Sequence, residues 1–258
     1  MKYIENFIVT SNLTLDQRHI LLKLKPQDDS RVDLAMIKPG QFVQVQAPAA
    51  DNTFLRLPIS INNVEEGLLW LMVQMIGEGT RALGTLKEGD LLNLVLPLGN
   101  GFSVDEAQGK VLLVGGGVGI APLLYTGRVL KEKGAEPIFL LGARTASGVL
   151  ERQQFEQIGR LLITTEDGTL GEKGFVTQHS ALLTERFSKI MVCGPKPMMM
   201  AVARYANQTH TDCEVSLENM MACGLGACLC CVEKTVRGNV CVCTEGPVFN
   251  IKDLTWQL

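Results

Sequence analysis

Between Lys110 and Gln208 a short apolar run is followed four times by a pattern of helical periodicity, and this rhythm constrains the fold more than any other feature. "KVLLVGG" leads to "PLLYTGRVLKEKG", "PIFLLGAR" to "LERQQFEQIG", "RLLITTEDG" to "TQHSALLTERF", and "KIMVCGP" to "KPMMMAVARYANQ". Continuous apolar strands are buried on both faces, and their alternation with helices marks βαβ units around a parallel sheet. Ligands of such sheets bind outside the carboxyl ends of the strands. That edge carries Gly115, Gly116, Gly117 and Gly119 after the first strand, Gly142-Ala143-Arg144 after the second, Glu166-Asp167-Gly168 after the third, and Cys193-Gly194-Pro195 after the fourth.

The first of these turns, in "VLLVGGGVGIAPLLY", joins a buried strand to a helix start, where backbone N–H groups and the helix dipole receive a diphosphate. Its glycines do not spell G-x-G-x-x-G: counted from Gly115 the third position is Ile120, and counted from Gly117 it is Pro122. Pro122 itself signals a helix start. Each of the other strand ends, taken singly, reads as a turn, whereas a dinucleotide site accounts for all of them together.

Residues 1–104 have a different texture. Short β segments such as "HILLKLK", "QFVQVQAP", "LPISINNV" and "LLNLVLPLG" are separated by turn signals, Pro39-Gly40 and Glu88-Gly89-Asp90 among them. This pattern predicts an antiparallel barrel or sandwich. "FLRLPISINN" puts Arg56 and Ser60 at a strand end, able to pair with a phosphate and to hydrogen-bond a ring nitrogen. In "GEGTRALGTL" the amides around Gly77, Gly79 and Thr80 form a loop suited to a diphosphate. Two β-turns and a surface arginine are the plainer reading of both stretches.

The cysteines then narrow the chemistry. Six of eight fall between Cys223 and Cys243, and four of them form Cys223-x4-Cys228-x2-Cys231-x11-Cys243. The first three match the spacing of plant-type 2Fe–2S ligation. Gly224, Gly226 and Ala227 are small enough to let a loop wrap a cluster and turn its N–H groups toward the sulfurs. Zinc would more naturally take two C-x2-C pairs, and buried inert thiols are the remaining alternative. Cys230, adjacent to Cys231, and Cys241, one residue from Cys243 on an alternating strand, are expected to be bystanders. Cys193 and Cys213 read as buried small hydrophobes.

A net charge of −3 and a pI near 5.7 argue against a nucleic-acid surface. The N-terminal stretch lacks the apolar core and cleavage site of a signal peptide, and no run reaches the roughly 18 apolar residues of a membrane span. A cytoplasmic location with reduced thiols is therefore expected, and there a cysteine cluster means metal or redox chemistry. No Ser-His-Asp or paired-carboxylate constellation is evident, so no catalytic side chain is assigned; His19, His179 and His210 are scattered.

Taken together, "RLPIS", "GGGVGIAPL", "CGPKPM" and "CGLGACLCC…CVCTEGPVF" resemble the electron-transfer subunits of NAD-dependent (class 1B) dihydroorotate dehydrogenases, within the ferredoxin-reductase superfamily. The resemblance spans essentially the whole chain. It implies a multi-domain β plus α/β fold: an FAD-binding antiparallel β-barrel over 1–104, an NAD-binding parallel α/β domain over 105–212, and a small 2Fe–2S domain over 213–258. It also implies an FMN-containing catalytic partner that oxidises dihydroorotate in pyrimidine (UMP) biosynthesis, assembled as a heterotetramer, with electrons passing through cluster and FAD to NAD+.

Carried over residue by residue, Cys223, Cys228, Cys231 and Cys243 become the cluster ligands. Arg56, Leu57, Pro58, Ile59 and Ser60 run along the FAD, Val73, Gln74 and Met75 pass the flavin by their backbone, and Gly79 with Thr80 meets the diphosphate. The NAD edge, read from the strand ends rather than from the resemblance, comprises Gly115–Gly117, Gly119, Pro122, Glu166, Asp167 and Cys193–Pro195. Members of that family often read "RRPIS", whereas this chain has Leu57 at the second position, which leaves the phosphate contact of Arg56 open. NAD against NADP is also open. A reductase subunit serving sulfide, sulfite or ferredoxin chemistry, and a zinc-stabilised binding module, are the rival readings.

Overall fold

The computed structural model describes residues 1–28, 31–48 and 53–258. They group into two compact units, the first made of Met1–Gly101, Glu218–Glu233 and Val240–Pro247, the second of Phe102–Leu217, Lys234–Asn239 and Val248–Leu258.

In the first unit, strands β1 (Tyr3–Thr14), β2 (His19–Pro26), β3 (Phe42–Val45), β4 (Leu57–Glu65), β5 (Leu68–Gln74) and β6 (Leu91–Leu98) close a barrel, with helix α1 (Glu78–Leu83) between β5 and β6. Neighbours follow the order β1-β2-β5-β4-β3-β6, and every pairing is antiparallel. Alternation along the strands turns Phe7, Val9, Leu22, Leu24, Leu94 and Leu96 into the fully buried core. Register shifts at Val9/Ser11, Phe42/Gln44 and Ile61/Asn63 mark the places where strands bend to close the ring. The texture of the first hundred residues thus resolves into the barrel rather than the sandwich. The stretch read as a loop around Gly79 is the first turn of α1.

The second unit is a seven-stranded sheet. Its elements in chain order are β7 (Lys110–Gly116), α2 (Ala121–Glu132), β8 (Glu136–Ala143), α3 (Arg152–Ile158), β9 (Arg160–Thr165), β10 (Glu172–Lys173), α4 (Ala181–Thr184), β11 (Lys189–Cys193), α5 (Lys196–Gln208) and β12 (Asp212–Ser216). After them come β13 (Val232–Thr235) and β14 (Gly238–Cys241), which pair with each other, then α6 (Val242–Glu245) and β15 (Val248–Asn250). The sheet order is β10-β9-β8-β7-β11-β12-β15, parallel throughout except for β15, which runs antiparallel along β12. The strand order reverses between β7 and β11, and this is the topological switch point at which doubly wound sheets take their ligands.

Two packing features hold this sheet. Helix α2 can lie close to β8 because Gly127 lacks a side chain: a Cβ there would fall 2.2 Å from the Phe139 ring, which meets Phe155 edge-on at 4.8 Å. At the amino end of β11, Lys189 Nζ sits 3.0 Å from Glu214 Oε1 and 3.1 Å from Asp212 Oδ2. The remaining oxygens are satisfied in turn, Glu214 Oε2 by Ser103 N at 3.0 Å and Asp212 Oδ1 by Asn250 Nδ2 at 2.8 Å. A buried charge cluster is tolerable only when it is this fully paired. Among the described residues no helix is long and apolar enough to cross a membrane.

Candidate functional site

The cysteine segment belongs to the barrel's unit. Asn100, just past β6, holds it by donating from Nδ2 to the carbonyls of Thr244 and Glu245 at 3.1 and 3.0 Å. Gly99, at φ +72°, leaves room for Pro247, whose Cδ would be 2.5 Å from a Cβ at that position. Gly224 and Gly226 both take positive φ, +68° and +83°, which lets the loop between Cys223 and Cys228 curl with its amides inward. Leu225 N donates to Cys223 Sγ at 3.3 Å, Gly226 N to Cys243 Sγ at 3.2 Å, and Cys243 N to Cys231 Sγ at 3.4 Å.

Those N–H groups have an electrostatic consequence. The amides of Leu225 and Cys228 hold the Cys223 thiol down to about 6, whereas burial and the neighbouring Cys231 push Cys243 up to about 12. Neighbouring thiols that interact in this way need positive charge among them to ionise together. Cys228 is the neighbour of Cys223, and both Cys243 and Cys241 are neighbours of Cys231. Among the described residues no three His, Cys, Asp or Glu side chains are gathered tightly enough to hold a single metal ion. Cys231 and Cys243 are buried and Cys228 is exposed. Of the other two thiols in the segment, Cys230 is exposed, and Cys241 leans on Cys231 while its Sγ lies 3.9 Å from the carbonyl of Gly226.

The proposed flavin residues lie together on the same unit. Leu57–Ser60 open β4, Val73 and Gln74 end β5, and Met75 N follows with a bond to Arg18 O at 2.7 Å. Helix α1 is clamped on them: a Cβ on Gly79 would be 3.1 Å from Leu57 Cδ1, and one on Gly84 would be 2.6 Å from Met75 Sδ. Thr80 Oγ1 accepts from Ile76 N and Gly77 N, both at 3.0 Å, and so shapes the turn entering α1. The Arg56 guanidinium lies along the barrel wall, with Nη1 donating to Asn93 O at 3.1 Å and Nη2 to Asn93 Oδ1 at 2.5 Å. Its role is thereby partly structural, a use that its position in "FLRLPIS" does not announce.

In the second unit the residues expected to form the NAD edge gather at the switch point. Gly115 and Gly116 end β7, Gly117 turns at φ +57°, Gly119 follows, and Pro122 lies in the first turn of α2. From β11, Cys193 runs into Gly194 at φ +153° and Pro195. A Cβ on Gly116 would lie 3.3 Å from Pro195 Cδ, so these two strand ends are one surface. Glu166 and Asp167 follow β9, where their amides bond the carbonyls of Ala143 and Arg144 at the end of β8. The hydroxyl and amide of Thr169 hold the Asp167 carboxyl below the usual carboxylate range.

One residue of the site escaped sequence reasoning. Gln44, in the alternating "FVQVQ" of β3, would be expected to face solvent, yet it is fully buried beneath the cysteine loop. No local pattern reports a cover supplied from a segment some 180 residues further along the chain.

Comparison with known proteins agrees with this geometry. Residues 218–255 match the iron-sulfur cluster binding domain of dihydroorotate dehydrogenase B, and residues 113–204 the oxidoreductase NAD-binding domain. The chain is 40% identical over 216 residues to the electron transfer subunit of dihydroorotate dehydrogenase B (NAD(+)) of Caldanaerobacter subterraneus subsp. tengcongensis, covering 82% of this chain and 84% of that one. The corresponding subunit of Clostridium acetobutylicum is 38% identical over 213 residues, 83% and 84% of the two chains. Among solved structures, a chain of an NADH-dependent reduced ferredoxin-NADP oxidoreductase, described for flavin-based electron bifurcation, superposes with a TM-score of 0.85 at 31% identity, over 97% of this chain and 90% of that one. The flavohemoglobin of Malassezia yamatoensis, solved with FAD and heme, shares the fold alone, at a TM-score of 0.67 and 16% identity. By sequence, by domain content and by fold, the chain belongs to the family of electron transfer subunits of dihydroorotate dehydrogenase B.

Proposed function

We propose that this chain carries electrons from a dihydroorotate-oxidising, FMN-containing catalytic subunit through a 2Fe–2S cluster and FAD to NAD+, in a heterotetramer with that subunit. Its functional segments are the FAD-binding barrel (1–104), the NAD-binding sheet (105–212) and the cluster-bearing segment (213–258). The backbone N–H donors turned on the sulfurs of Cys223, Cys231 and Cys243 are the observation that carries the reading. Two iron atoms need two pairs, and Cys223/Cys228 with Cys231/Cys243 supply them.

When bound, the cluster passes electrons singly and the flavin takes one or two, which matches one-electron traffic to hydride transfer. The residues around them bind, orient and shield. Leu57–Ser60 and Val73–Met75 offer the flavin an edge of backbone, and the turn at Gly79 and Thr80 receives its diphosphate. In the second unit, the amides of Gly116–Gly119 and the turn at Gly194 receive the NAD diphosphate, while Glu166 or Asp167 serves a ribose hydroxyl.

Co-expression with the catalytic subunit of the same genome tests this directly. Co-purification as a heterotetramer, iron and labile sulfide at two each per chain, one FAD, and dihydroorotate-dependent reduction of NAD+ are expected. The 31% identity to the ferredoxin-NADP oxidoreductase chain favours one rival, a reductase subunit serving ferredoxin. A flavin- and iron-loaded pair that ignores dihydroorotate yet exchanges electrons with reduced ferredoxin would decide for it.

A further inference from the structure

Gln44 is fully buried, and neither its Nε2 nor its Oε1 has a hydrogen-bond partner among the described residues. A buried amide left unpaired is costly, and one retained in a native structure calls for an explanation. The direction it faces says what kind of partner. A Cβ built on Gly224 would fall 2.7 Å from Gln44 Cγ and 3.0 Å from Nε2, so the carboxamide lies against the loop that joins Cys223 to Cys228. Along β3 it is paired with Pro58, and Phe42 on the same face with Ser60, both in the stretch proposed to follow the flavin. The amide thus stands on a rigid strand between the flavin edge and the cysteine loop. That loop already points two backbone donors at sulfur, from Leu225 and Gly226.

We propose that the Gln44 side-chain amide donates a hydrogen bond through Nε2 to a sulfur of the iron-sulfur cluster and thereby raises its reduction potential. The inference rests on the cluster reading given above. A donor aimed at sulfur stabilises the reduced cluster, which carries the extra negative charge, more than the oxidised one. Placing it on the barrel rather than on the loop fixes its position independently of loop motion. It also gives the buried amide a partner that it lacks among the described residues.

The test uses the complete complex with its catalytic subunit, and compares wild type with Gln44→Met, which keeps length without a donor, and Gln44→Glu, which keeps shape. Cluster and FAD midpoints are read by electron paramagnetic resonance and visible redox titrations at pH 7. Both variants are expected to retain iron, labile sulfide and FAD while the cluster midpoint moves down. At a fixed potential the reduced-to-oxidised ratio should fall about three- to tenfold, the scale of one net hydrogen bond, with the FAD midpoint in place. A fully loaded variant whose cluster midpoint stays put overturns the proposal, and so does a shift confined to the FAD, which would assign the amide to the flavin. Loss of the cluster from both variants would make Gln44 a packing residue and overturn it equally. Wild-type protein lacking labile sulfide would instead sink the cluster reading itself.

Discussion

Gly119 and Gly194 meet backbone to backbone: a Cβ on Gly119 would lie 2.5 Å from Gly194 Cα and 2.6 Å from its nitrogen. The two strands that flank the switch point are locked by this contact, and no side chain fits into it. Gly119→Ala should therefore destabilise the nucleotide unit by about 1–3 kcal/mol through overpacking, and weaken NADH binding at least about tenfold by moving the diphosphate turn. Thermal unfolding and fluorescence titration with NADH check both effects, with iron and FAD content unchanged.

Cys223→Ser and Cys243→Ser should each abolish the visible and paramagnetic signals of the cluster while leaving FAD bound. Cys230→Ser should retain them, because Cys230 is exposed and no backbone donor is turned on its sulfur among the described residues. Cluster loss in the Cys230 variant would reassign the ligands.

Lys189 is buried with Glu214 and also pairs with the half-exposed Asp212. Burial alone lowers its pKa, but the two carboxylates outweigh it and the net shift is upward. A raised lysine stabilises the fold fully below its unfolded value of about 10.4, and this contribution is lost as pH climbs through the higher folded value. Lys189→Met should cost about 3–5 kcal/mol at pH 7 by stranding Glu214. Denaturant melts at pH 7 and above 10.5 measure both, and the variant should lack the wild type's high-pH decline.

His179 behaves oppositely. Burial depresses its pKa, only partly countered by Glu172, and its Nδ1 accepts the Ala181 amide at 3.1 Å, which requires a ring without a proton at that atom. The folded unit favours neutral imidazole, so this stabilisation is whole above about pH 6.5 and is lost as pH falls from there through the lower folded value. Melting temperature followed from pH 7.5 to 5 should drop more steeply in wild type than in His179→Gln.

Some parts of the molecule were legible from residues alone because their cause is local. The strand-helix rhythm from Lys110 follows from periodicity, and the iron-sulfur character of the segment from Glu218 onward from its cysteine spacing. Where distant segments meet, local patterns are silent. The barrel order β1-β2-β5-β4-β3-β6 depends on closure, and the antiparallel β15 on an edge left open by β12. Arg56 turns toward Asn93, 37 positions along the chain, rather than wholly toward a ligand. Gln44 looks like a surface strand residue until Gly224 is laid over it.

The cysteine-bearing tail is threaded through both units: residues 218–233 and 240–247 lie with the barrel, while 234–239 and 248–258 lie with the sheet. Its last strand, β15, edges that sheet. A chain cut after Leu217 would thus shed its metal centre and expose the raw border of β12 in one stroke, so this redox segment cannot be transplanted or deleted as a cassette. Inheritance of the cluster and integrity of the nucleotide sheet are, in this architecture, a single trait.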